Sequence, residues 1–496
     1  ADGPGRGPGR REGPMTDAAT TDTTPPKEGA ILWTPTPEAA ARTRMAAFIA
    51  WLEAERGLSF ADYDALWQWS VTDLEGFWTA IAGFFDVPFD TPPETVLAEP
   101  VMPGARWFEG ATLNYAAMAL REMAAAPDRV VIQASSETSG EVALTGAEVR
   151  AKVAGLAARL RALGVAPGDR VVAVLPNGPE GIVSLLAAAS VGAIWSQCAP
   201  EMSSRAILDR FRQITPKVLI AQDGQVHAGK PRDNAEMLAT VRDGLPSLEA
   251  VILARRLPGA AGAEGAEDWD DAAAADAGAP APTAVDFSHP LWIVYSSGTT
   301  GSPKPIVHGH GGVTLMALAM TLHLDLGRDD TYAWLTSPGW IMWNTQLQPL
   351  AVGGRLAMID GSPLHPDPGR MWRFLADAGV TYFGAGAAFY TQMMKAGAEP
   401  AAHGDLSGLT KLGSTGSPLP PEAYGWIYRA FGDRVWLAPI SGGTDFAGAF
   451  VAGNPMLPVR AGEMQVRNLG AAVEAWAEDG TPVIDAVGEL VCTKPM

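Results

Sequence analysis

The run Tyr295-Ser-Ser-Gly-Thr-Thr-Gly-Ser-Pro-Lys-Pro-Ile306 directly follows the apolar stretch Leu291-Trp-Ile-Val294. Small hydroxylated residues and two glycines just past a strand let backbone N–H groups come close to an anion, while Ser and Thr hydroxyls donate further hydrogen bonds. Ser296, Ser297, Gly298, Thr299, Thr300, Gly301, Ser302 and Lys304 are therefore a candidate phosphate cradle. The run is not the P-loop, which needs Gly-Lys-Ser/Thr at the start of a helix. Lys304 lies between Pro303 and Pro305, and a residue before proline is pushed to extended backbone. It is expected on an extended, mobile loop, placing a positive charge on departing phosphate oxygens. A plain Gly/Ser linker is the competing reading, and the position at a strand end argues against it.

Other chemistry-bearing residues form no comparable set. His308 and His310 could ligate a metal only with further ligands, and no ordered set is present, so a supporting role is expected for both. The other histidines are scattered, and linear spacing supports no Ser-His-Asp arrangement. Two cysteines in 496 residues, Cys198 and Cys492, make neither a disulfide framework nor a metal knuckle, which implies a reducing, cytoplasmic setting. With 36 Lys and Arg against 55 Asp and Glu, the net charge of −19 argues against broad contact with nucleic acid or an anionic membrane. Positive potential for an anionic ligand must be local. No apolar window of about 18 residues exists, so no membrane span is expected.

The elements that position the loop read as an α/β body. Hydrophobic residues make up 47% of the chain and charged residues 18%, enough for a large core. Residues 1–30 read as a disordered tail without a secretory apolar core. From 31 to 115 an aromatic-rich helical cap is expected, with Met45, Phe48, Leu52, Trp67, Phe77, Trp78 and Ile81 at helical spacing. Residues 116–257 alternate strand and helix, as in a doubly wound parallel sheet: strands near 170–175, 193–197 and 217–221, helices near 180–190 and 203–213, the latter with a Ser N-cap. The Ala/Gly/Asp/Glu/Pro composition of 258–284 reads as a solvated insertion or linker. Residues 285–496 then supply a second α/β subdomain carrying the phosphate loop.

That loop resembles the phosphate-loop signature of the adenylate-forming superfamily, which includes acyl-CoA synthetases, luciferases and peptide-synthetase adenylation domains. WSVTDLEGFWTAIAGFF (69–85) and WFEGATLNYA (107–116) are similar to the acetyl-CoA and acetoacetyl-CoA synthetase branch. LWTPTPE (32–38), SSGTTGSPKPIVHGHGG (296–312), TSPGWIMWN (336–344) and SGGTDFAGAF (441–450) most resemble its acetoacetate-activating members. The resemblance spans about 31–496. It implies that Gly416, Ser417 and Pro418 belong to the adenine-binding stretch, with Ser417 where many relatives have Glu. Ser441, Gly442, Gly443 and Thr444 match the element in which Thr binds phosphate; its following acid, here Asp445, holds Mg²⁺. Ser441 stands where an adenine-stacking aromatic is usual. Asp445 also reads as an ordinary turn cap. Trp340, Met342 and Trp343 fall in the loop near the acyl and pantetheine channel, or are ordinary core aromatics. Acetyl-specific relatives carry Trp at the position of Gly442, so its absence implies room for an acid longer than acetate.

The resemblance thus implies an ATP-dependent acid–thiol ligase with Lys304, Thr444 and Asp445 catalytic, using ATP, Mg²⁺ and coenzyme A to take acetoacetate through acyl-AMP to its CoA thioester. A propionyl- or other short-chain acyl-CoA synthetase, or an adenylation domain, is the near alternative. In the family, a ribose-binding Asp, a hinge Arg and a C-terminal lid bearing an adenylation Lys come next; none is in this sequence, so a body without its lid is expected, and a non-catalytic nucleotide-binding module is the alternative of another class.

Overall fold

A computed structural model describes residues 24–296 and 301–496. Two seven-stranded sheets form its frame. The first runs, edge to edge, Glu267–Asp268, Ala250–Ala254, Val218–Gln222, Arg170–Val174, Ile194–Cys198, Pro290–Ser296 and Lys304–Gly309. All its pairings are parallel except the last, which turns back antiparallel with Ser296 opposite Lys304. The second runs Trp436–Pro439, Lys411–Thr415, Tyr382–Gly386, Thr331–Trp334, Arg355–Asp360, Val130–Ser136 and Gly140–Thr145, again parallel but for its last pair. Strands covered by helices on both faces read as continuous apolar runs, which is why Val171, Val172, Ala173 and Val174 are all buried and why the alternation was visible in the sequence.

The N-terminal helices Arg44–Arg56, Tyr63–Thr72 and Leu74–Phe84 start where Thr43, Asp62 and Asp73 accept a backbone N–H with their side chains. They bury Phe48, Leu52, Phe77, Trp78 and Ile81 in the core. Of the expected tail, residues 1–23 lie outside the described residues, whereas 24–30 dock on the body: Gly29 N donates to Ala461 O and Ala461 N to Ala30 O, both at 2.9 Å.

Two expectations are corrected. The 258–284 stretch is not simply solvated: Glu267–Asp268 is the edge strand of the first sheet, and Trp269 is buried with its Nε1 donating to Ser184 Oγ at 3.0 Å. Arg256 bridges that segment to the Pro179–Val191 helix through Asp270 and Glu180, both at 2.7 Å. Lys304 opens a strand rather than sitting on a loop; the extended backbone dictated by Pro305 is what lets it pair.

In the second sheet the parallel strands end together at Trp334, Asp360, Gly386, Thr415 and Pro439. Open α/β sheets gather ligands at such carboxyl ends.

Candidate functional site

Beyond those strand ends lies a cavity of about 390 Å³. Three segments form its sides: Trp340–Met342 after Thr331–Trp334, Thr415–Leu419 after Lys411–Thr415, and Pro439–Thr444 after Trp436–Pro439. The last two are clamped together, since Ile440 N donates to Ser414 O and Thr415 Oγ1 to Ile440 O, each at 2.8 Å. Gly416 takes a positive φ of 86°, a backbone open to glycine at little cost, so the loop can turn sharply here.

The Ser441–Gly443 strand turns through 444–447 into Gly448–Ala452. At Gly442 the hairpin is irregular, and a Cβ would lie 2.0 Å from Gly448 O. This corrects the reading of Gly442 as a position whose missing indole opens the cavity. A side chain here would strike the paired strand first, and Gly442 borders the cavity with its backbone.

Of the candidate residues, Trp340, Met342, Gly416, Ser417, Pro418, Ser441, Gly442, Gly443 and Thr444 converge on the cavity. Trp343 does not: it is fully buried against Gly181, which corrects its assignment to the acyl pocket. Ser297, Gly298, Thr299 and Thr300 lie outside the described residues. Ser296, Gly301, Ser302 and Lys304 are not among the cavity's walls; Lys304 is exposed, beside a loop held by Gln213 Nε2 donating to Pro303 O at 3.0 Å.

His308 ties these two parts together. Trp292 Nε1 can only donate, so at 2.8 Å the His308 Nδ1 must accept. The ring proton is then on Nε2, which donates to Asp445 O at 2.9 Å. Burial lowers the His308 pKa and keeps the ring neutral. The strand leaving the candidate phosphate loop thereby grips the turn that carries Thr444 and Asp445. Nearby, His310 Nδ1 accepts from Tyr115 N at 3.1 Å, and burial pushes its pKa down to about 3. The supporting roles expected for both histidines agree with this placement.

The Asp445 side chain is exposed and meets no ion-pair or hydrogen-bond partner among the described residues. No cluster of three or more His, Cys, Asp or Glu gathers among those residues. A single free carboxylate fits Mg²⁺ that completes its shell with water and substrate phosphates, the usual arrangement for that ion.

The sequence reading missed much of the wall, including Met320, Leu324, Tyr332, Thr345, Gln348, Ala447 and Ala449. These come from the His310–His323 helix and its end, the Thr331–Trp334 strand, the Ile341–Thr345 helix, the Gln348–Val352 3-10 turn and the hairpin around Gly448, where local pattern reports burial but not what is faced. A second hollow of about 370 Å³ lies across the 335–342 segment, lined by Asn177, Glu201, His227, Ser337 and Asp360 among others. Asp360 is pushed up to about 6, mainly by burial with Glu201 adding, against the Ser136 hydroxyl that donates to it at 2.8 Å. No helix among the described residues is long and apolar enough to cross a membrane.

Two open, mostly parallel sheets, with a hydroxyl- and glycine-lined cavity at the strand ends of the second, give an α/β body of the kind that binds nucleotides. Residues 120–496 match the family model described as AMP-binding enzyme and 63–119 that described as acetyl-coenzyme A synthetase N-terminus; the chain belongs to the AMP-binding enzyme family. It is 40% identical to an acetoacetyl-coenzyme A synthetase of Rhizobium meliloti (strain 1021), with 93% of this chain and 71% of the relative covered. An acetoacetyl-CoA synthetase of Rattus norvegicus is 38% identical over 94% of this chain and 71% of its own length. The solved acetoacetyl-CoA synthetase from Streptomyces lividans superimposes with a TM-score of 0.91 at 44% identity, covering 94% of this chain and 73% of that one.

Proposed function

We propose that this chain is an AMP-forming acid–thiol ligase that activates acetoacetate. The observation that carries the reading is the convergence of Gly416–Pro418 and Ser441–Thr444 on one cavity whose other wall is apolar, with Met320, Leu324, Ile341 and Met342. One side suits a nucleotide and the other a short acyl chain. A substrate carboxylate oxygen bonds to the α-phosphorus of ATP, the bond to the bridging oxygen breaks, and pyrophosphate leaves with the electron pair. The thiol of coenzyme A then attacks the acyl carbon, releasing AMP and a proton. The second hollow, across the 335–342 segment, is the side from which we place thiol entry.

Little covalent chemistry falls to the protein; orientation and charge stabilisation dominate. Thr444 donates to phosphate oxygens, Lys304 compensates charge on the departing pyrophosphate, and the loop amides hold the triphosphate. Mg²⁺, held by Asp445 and phosphate oxygens, would supply further charge neutralisation when bound.

Pyrophosphate release with a panel of acids tests the reading, on this chain and on one carried to its relatives' length. Acetoacetate is expected to support release far better than acetate, propionate or butyrate. Preference for acetate would sink the substrate, and nucleotide binding with no acid-dependent release would favour a non-catalytic module. Lys304→Ala should lower adenylation about 10²-fold, the scale of one lost electrostatic contact; an unchanged rate removes Lys304 from the site.

A further inference from the structure

The cavity has a lip and a floor. Gly416, Ser417, Pro418 and Gly442 at the lip are exposed, whereas Met320, Leu324, Tyr332 and Gln348 are buried. The floor is therefore where the acyl chain ends. Its surface is apolar apart from two groups, the Gln348 amide and the Tyr332 hydroxyl; neither makes a hydrogen bond to the described residues, and both are open to the cavity.

Of the other polar side chains on the wall, Ser417, Ser441 and Thr444 belong to the segments on the nucleotide side, and the rest are occupied or sealed. Thr345 Oγ1 donates to Met342 O at 3.1 Å and Tyr424 OH to Glu463 O at 2.7 Å. The Ser414 hydroxyl has no partner, but its oxygen is closed off from the cavity and its strand leads into the nucleotide loop. An amide and a phenol that face an apolar floor and are satisfied by no protein group are free to pair a ligand, and a ligand that fills the floor without pairing them would leave each unsatisfied at about 1–3 kcal/mol. Burial raises the Tyr332 pKa, so its hydroxyl stays a donor.

We infer that Gln348 and Tyr332 both donate to the 3-oxo oxygen of the acid and are the residues that set its preference for a β-keto acid. This rests on the ligase reading above. A ketone oxygen has two lone pairs and accepts one N–H and one O–H. An unsubstituted acid of the same length offers nothing to either donor. Sites built around hydrogen bonds reject the analogue lacking the polar group far more strongly than apolar pockets reject a missing methylene.

The test is isothermal titration of the full chain with two unreactive acyl-adenylate mimics, 3-oxobutyryl and butyryl sulfamoyl adenosine. The wild type should bind the 3-oxobutyryl mimic at least ~100-fold tighter. Gln348→Met, similar in length and without a donor, and Tyr332→Phe should each cut that ratio about tenfold or more. Both should leave butyryl affinity in place, which also reports an intact fold. A wild-type ratio near one, or variants that weaken both mimics equally, overturns this inference alone. Binding of neither mimic by the wild type overturns the ligase reading, and this inference with it.

Discussion

Gly442 illustrates how one residue controls the site without a side chain. The 2.0 Å approach of a would-be Cβ to Gly448 O is closer than any real contact, and the obstacle is backbone, which cannot swing aside. Gly442→Ala must therefore open the hairpin that carries Thr444 and Asp445. We expect a loss of about 1–3 kcal/mol, the usual cost of overpacking, in a denaturant titration. Adenylation should fall by more than tenfold, because Thr444 moves with the turn. Wild-type stability and rate in Gly442→Ala would show that the hairpin is looser than its geometry. The sequence identified Gly442 but assigned it the wrong consequence: residue type told of missing bulk, while the direction of the absent Cβ is set by pairing with Ala449.

At the scale of elements, the parallel strands were legible because burial on both faces leaves an apolar run with no alternation. Ser203 was legible as an N-cap, and its side chain does accept from Ala206 N. The Glu267–Ala273 segment was not, since Ala, Asp and Glu are as compatible with a solvated linker as with a short edge strand and helix. Only Trp269 gave a hint, and a lone aromatic does not say what it packs on. The walls contributed by Tyr332 and Gln348 were hidden for the same reason: which buried residue faces a cavity is a fact of three-dimensional assembly. The Trp269 finding has a sharp consequence. Trp269→Ala removes a buried indole, its bond to Ser184 and its stacking under Arg256 at 5.7 Å, and should cost about 3–5 kcal/mol. A solvated linker would register within ~0.5 kcal/mol, so equilibrium unfolding separates the two outcomes cleanly.

For the whole molecule, the His310–His323 helix is the strut between parts. Its contacts reach Arg44–Arg56, Leu74–Phe84, Tyr115–Ala125 and Gly448–Ala452, and Met320, within it, and Leu324, at its end, line the cavity. A buried imidazole sits at each end. His323 Nε2 accepts from Leu469 N at 3.1 Å while Nδ1 donates to Gly453 O at 2.8 Å, and burial holds its pKa near 4, as it holds His310 near 3. Both folded values lie below the unfolded ~6.5, so the unfolded chain takes up these protons first and their contribution, complete above pH 6.5, is lost as pH falls toward 4. Each histidine contributes a slope of roughly 1.4 kcal/mol per pH unit in that window. Asp360 opposes them: its folded pKa is raised to about 6, so its cost to stability is relieved as pH falls from there toward ~3.9. One carboxyl offsets one histidine, and the second, with His308 acting in the same direction, decides the sign. Stability measured by urea titration should decline between pH 6.5 and 4.5, and His323→Gln should flatten that decline even if it lowers stability at pH 7.5. A profile that stays level in the wild type, or one equally steep in the variant, would mean that the strut's histidines do not govern the acid response.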